Sequence, residues 1–89
     1  MYKYYKNDRM TIEDLGKGIF CCIKQDEIVL LNEAAYYICE LCNGICLEQL
    51  FFKLEHFDGI ENEENFRTIV QETINTLTRS EIILAKEVM

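Results

Sequence analysis

Proline is absent and glycine is scarce, with four residues, which argues against a long linker or a disordered tail. Histidine occurs once, as His56, so a histidine-assisted nucleophile has a single candidate base. No glycine-rich phosphate loop is present. Long apolar runs are missing too: the best, such as residues 19–23, fall far short of a membrane span. Residues 1–9 contain no apolar stretch, so no signal peptide is expected there. The resulting expectation is a cytoplasmic protein whose five cysteines stay reduced. Basic side chains are also few, nine against 16 acidic ones, for a net charge of −7. Affinity for nucleic acid comes largely from Lys and Arg neutralising phosphates. A chain this acidic is expected to meet a basic, neutral or amphipathic partner, and neither nucleic acid nor membrane.

What remains is an apolar-rich chain of 89 residues, one domain over 1–89 with a single small core. That size leaves little room for a deep catalytic cleft. The charge is uneven: residues 1–24 hold five basic and three acidic side chains, whereas 55–81 hold seven acidic ones against Arg67 and Arg79.

Residues 10–15 read as a first strand with Met10 and Ile12 on one face, followed by the turn signal Gly16-Lys17-Gly18. Residues 19–24 are rich in β-favouring side chains and pair as a hairpin with 27–31 across Gln25-Asp26. Within the second arm, Ile28, Val29, Leu30 and Leu31 do not alternate with polar residues. A strand apolar on both faces meets the helices on one side and, on the other, a second layer, a partner or solvent as an exposed patch. The plain alternative to a partner is that Ile28 and Leu30 pack under the tyrosine-rich N-terminal segment.

Asn32 is a good N-cap for a helix with Ala35, Ile38, Cys39, Leu41 and Cys42 along its apolar stripe, and Glu33 suits its positive end. Asn43-Gly44 then predicts a left-handed cap. A second helix is expected from 47 to about 56, burying Leu47, Leu50, Phe51 and Leu54. A loop over 57–60 follows, and then a third helix, capped by Asn62, from 63 to about 79. Its stripe is Phe66, Ile69, Val70, Thr73, Ile74 and Leu77, and the apolar residues 82–84 pack back as a short strand or helix extension. The predicted class is α+β: a small three-stranded antiparallel sheet followed by three helices, winged helix-turn-helix-like.

The stretch Leu31-Asn32-Glu33-Ala34-Ala35-Tyr36-Tyr37-Ile38-Cys39-Glu40-Leu41-Cys42-Asn43-Gly44 resembles the signature of the PqqD-like family, the peptide chaperones and RiPP recognition elements of peptide-modifying pathways. The resemblance extends over about 10–85, and Leu77 with Ile82-Ile83 fits the family's apolar ending. Asn43 stands where the family usually has Asp, and Cys46 where a Thr commonly caps the second helix. The resemblance implies a non-catalytic domain that binds the leader of a ribosomally made precursor peptide as an added strand. It also implies presentation of that leader to a modifying enzyme, a radical S-adenosylmethionine maturase or a leader peptidase. Carried onto this chain, the docking edge is Glu27, Ile28, Val29, Leu30 and Leu31. The groove wall is the side of the third helix bearing Phe66, Arg67, Val70, Gln71 and Ile74. A strand apolar on both faces beside an amphipathic helix agrees with strand addition, in which main-chain bonds give affinity and side-chain pockets give register. The pattern alone fits packing under the N-terminal tyrosines equally well, and the resemblance favours binding. The alternatives are a winged-helix DNA-binding transcriptional regulator, opposed by Glu63, Glu64 and Glu72, and a module that dimerises through the same edge. A monomer or weak homodimer is expected.

Other constellations have plainer readings. Cys39, Cys42 and Cys46 have spacing that suits zinc or a cluster, but Cys39 and Cys42 fall on the buried stripe and no fourth ligand lies near in sequence. No metal or cofactor is expected. Cys21 and Cys22 point to opposite strand faces, and His56 as partner to a nucleophilic cysteine lacks any third group. Tyr2, Tyr4, Tyr5, Tyr36 and Tyr37 read as packing at the margins of a small core, or as interface anchors.

Overall fold

The hairpins are built where the β-favouring residues stand. A computed structural model describes residues 1–55 and 65–88 and resolves this region into β2 (Thr11–Gly16), β3 (Ile19–Lys24) and β4 (Glu27–Asn32), following β1 (Tyr2–Lys6). β2, β3 and β4 form one antiparallel sheet in that order, leaving β4 at an edge. The β2–β3 turn runs Gly16-Lys17-Gly18, all at positive φ. The β3–β4 turn closes on the pair Lys24–Glu27 with Gln25 at φ 47°, a tight two-residue turn made without glycine. Pleating puts Cys22 and Leu31 inward, both buried, while Cys21 pairs with Leu30 and Ile23 with Ile28 on the outer face.

At Asn32 the chain turns from strand to helix. Its backbone still pairs with Ile19 while its Oδ1 accepts the Ala35 N–H at 2.8 Å, so one residue ends β4 and caps α1 (Glu33–Leu41). Ile38 and Cys39 are the buried residues of α1, and Tyr36 stacks flat on Phe20 of β3 with ring centroids 3.8 Å apart. After β5 (Asn43–Cys46) come α2 (Leu47–Leu54), burying Leu50, Phe51 and Leu54, and α3 (Phe66–Arg79), burying Val70, Ile74 and Leu77. β6 (Ile83–Glu87) closes the described chain, with Ile82 and Ile83 in the core. The expected end of the second helix at 56, the loop 57–60, the Asn62 cap and the first turn at Glu63 and Glu64 lie outside the described residues.

The α+β class holds, but the sheet content differs from the expectation. A second three-stranded sheet, ordered β5-β1-β6, is assembled from the N-terminal segment, the α1–α2 connection and the chain after α3. Lys residues between the tyrosines mask β1, yet it is the central strand, with Tyr4 opposite both Ile45 and Ala85. The N-terminal tyrosines therefore do not cover Ile28 and Leu30; they belong to the other sheet. Nor does Asn43-Gly44 cap α1. The helix ends at Cys42, whose N–H bonds the Cys39 carbonyl at 3.1 Å and whose thiol donates to the Ile38 carbonyl at 3.2 Å. Gly44, at φ 81°, is instead the extra residue of a bulge: Tyr4 pairs with Ile45 and Tyr5 with Asn43, and Gly44 stands between them. A Cβ there would lie 3.3 Å from the Tyr5 ring.

Two glycines separate the backbone effect from the crowding. Gly16 has φ 84° with nothing near its missing Cβ, whereas Gly44 combines positive φ with the Tyr5 contact. Gly16→Ala is expected to lose ~1–2 kcal/mol from left-handed strain. Gly44→Ala loses more, read as a larger drop in the urea midpoint at unchanged slope.

Candidate functional site

Of the edge strands in the described residues, most carry a feature that blocks pairing. β2 holds Glu13 and Asp14, β6 holds Lys86 and Glu87, and β5 is four residues long with the Gly44 bulge. Charges and bulges are the usual protection of an open sheet edge. β4 has neither between Ile28 and Leu31. Its one charge, Glu27, stands at the start, 3.5 Å from Lys24 Nζ. That same ammonium donates to the Ser80 carbonyl, tying the hairpin to the C-terminal end of α3. Among the described residues no backbone bond other than those to β3 reaches residues 27–31 of β4.

Ile28 is 66% exposed and Leu30 65%, on the outer face. With Cys21, Ile23 and the partly exposed Ile19 they make an apolar strip across the sheet. On the inner side, Val29 is half-buried and Leu31 buried, and here a groove of about 400 Å³ runs between β4, the first turn of α1 and one face of α3. That volume lies within the usual range for ligand sites. Ala34 and Ala35 keep the α1 wall low, and Ile69, Glu72, Thr73 and Thr76 make the α3 wall.

The expected wall is therefore rotated. Val29, Leu30 and Leu31 do line the groove, but Phe66, Arg67, Val70, Gln71 and Ile74 do not. Phe66 packs toward Phe51 at 5.9 Å, and Arg67 lies over the same ring at 4.5 Å and 3.7 Å from Glu48. Val70 and Ile74 are core, and the Gln71 amide bonds Asn75 at 3.1 Å along its own helix. The physical reason is the breadth of the α3 stripe. Its centre, Val70-Ile74-Leu77, is occupied by the core, so its Phe66 end goes to α2 and its Ile69–Thr73 margin is left for β4. Ile69, 41% exposed, is the residue whose position marks the groove. An apolar residue at the polar margin of a stripe was the available signal.

The cysteines divide as their strand and helix faces require. Cys22, Cys39 and Cys42 are buried, and burial pushes the Cys39 and Cys42 thiols up to about 12. Such thiols stay protonated and pack as small apolar groups. Cys46 is half-buried at the start of α2, its N–H held by Gln49 Oε1 at 3.1 Å. Among the described residues no three Cys, His, Asp or Glu side chains come together to hold a metal ion, and no helix is long and apolar enough to cross a membrane. His56 lies outside those residues. No protein-family model matches the chain, and no match is found among curated proteins or solved structures.

The thiol environments predict two readouts. Iodoacetamide on the folded protein at pH 8 modifies Cys21 and Cys46 and spares Cys22, Cys39 and Cys42, as peptide mass mapping will show. Because folding raises the Cys39 and Cys42 values from an ordinary 9 or so to about 12, their stabilising effect is complete below pH 9. It is lost between pH 9 and 12, where the unfolded chain ionises first. Denaturant midpoints should fall across that window, and less steeply for Cys39→Ala.

Proposed function

We propose that this domain captures the leader segment of a ribosomally synthesised precursor peptide, which adds as a strand to β4. It holds the leader for a modifying enzyme, a radical S-adenosylmethionine maturase or a leader peptidase, and performs no chemistry itself. The observation that carries this reading is an unprotected, apolar, edge-placed β4 beside an apolar groove. Strand addition uses these two parts, a free main-chain edge for affinity and a side-chain groove for register. The resemblance of residues 31–44 to the PqqD-like signature supports the same reading.

The winged-helix alternative requires a basic third helix. In its described part α3 carries Arg67, Glu72 and Arg79, and Arg67 is engaged with Phe51 and Glu48. That leaves too little free positive charge for a phosphate backbone.

Titration calorimetry with synthetic leader segments of the short precursors encoded beside this gene is expected to show micromolar or tighter binding. Ile69→Ala should weaken it about fivefold to tenfold by removing buried apolar surface. Arg67→Ala and Gln71→Ala, on the far side of α3, should leave it unchanged. Circular dichroism of each variant separates lost binding from lost fold. Absence of binding to every neighbouring leader would sink the proposal.

A further inference from the structure

The polar side chains that line the groove beside β4 are neutral with one exception: Asn32, Thr73, Thr76 and Ser80 carry no charge. Asn32 Oδ1 is held by the Ala35 N–H, and the Thr73 hydroxyl donates to the Ile69 carbonyl at 2.8 Å. One lining side chain is charged, Glu72. It is exposed, and among the described residues it has no ion pair or hydrogen bond. The arginines of the same helix do not reach it: Arg67 is turned to Phe51 and Glu48, and Arg79 lines a separate cavity with Tyr2 and Ala85. On a helix, Glu72 neighbours Ile69 and Thr76 at spacings of three and four, so its carboxylate sits at the groove's rim above an apolar wall.

We infer, building on the strand-addition reading, that the peptide taken by this groove carries a lysine or arginine among apolar residues, and that Glu72 selects it. An extended peptide beside β4 presents alternate side chains to the α3 wall. Apolar ones fill the space over Ala35 and Thr73. A long basic one lays its methylene stem along Ile69 and places its cation on the Glu72 carboxylate. The charge pattern also disfavours a second copy as occupant. Its β4 would bring Glu27 and no free cation, since Lys24 is held by Ser80 and Glu27, and two chains of charge −7 would have to meet.

Panning phage-displayed random 12-residue peptides against the intact chain tests this. Enriched sequences should combine spaced apolar residues with Lys or Arg. A synthetic peptide from that set should bind about two- to fivefold more weakly to Glu72→Gln, the range for a partly solvated ion pair, and more weakly as salt rises. Glu72→Lys should shift the enrichment to Asp and Glu. Peptides that lose binding to Ile69→Ala yet show no basic preference, or keep it with Glu72→Lys, overturn the inference and leave strand addition standing. Failure to enrich any peptide, or light scattering showing β4-dependent dimers in place of peptide binding, overturns both.

Discussion

The strand-to-helix reversal at Asn32 is the constraint from which the rest follows. Its backbone completes the β3–β4 ladder opposite Ile19, and its side chain caps α1 through the Ala35 N–H. An uncapped first turn would leave its donors to water, at a cost of ~1 kcal/mol. More important is direction: with both bonds made, α1 leaves β4 at a set angle. Ala34 and Ala35 are thereby brought beside Val29 and Leu31, and α1 packs against α3 across the core. A larger side chain at either alanine would fill the space that now separates β4 from α3.

The second determinant is how the core is shared among three helices. Val70, Ile74 and Leu77 take α3 into the interior, and once they are seated only one flank of the helix can meet β4. The N-terminal end of α3 is closed by Phe51, Phe66 and Arg67 packing together. β4 is held in place at both ends, by the Asn32 cap and by Lys24 reaching the Ser80 carbonyl, while its middle residues keep an open edge. The strand is thus tied at both ends and open along the edge between them.

Legibility in the sequence followed the strength of local pattern. β3, β4, the Asn32 cap, the buried faces of the helices and the core positions of Cys39 and Cys42 were readable because periodicity and capping chemistry are local. The sheet of β5, β1 and β6 was not. Tyr2–Lys6 sets Lys3 and Lys6 among its tyrosines, so no apolar run marks it as a central strand; its partners lie far along the chain. Asn43-Gly44 is chemically suited both to a helix cap and to a bulge, and pairing with Tyr4 and Tyr5 decided between them. The groove was half readable. The apolar run of β4 pointed to it, but the rotation of α3 that places Ile69 and Glu72 there depends on which residues the core claims first.

The central position of β1 has a consequence for folding kinetics. The β2–β3–β4 meander pairs neighbours across two short turns, and such ladders form quickly because little chain entropy is lost in closing them. β1, by contrast, pairs Tyr4 with Ala85 on one side and with Ile45 on the other. That sheet closes a loop of almost the whole described chain, and contacts of such sequence separation slow the search. The sheet that bears the candidate docking edge is therefore the one built on local contacts, whereas the sheet of β5, β1 and β6 depends on contacts distant in sequence.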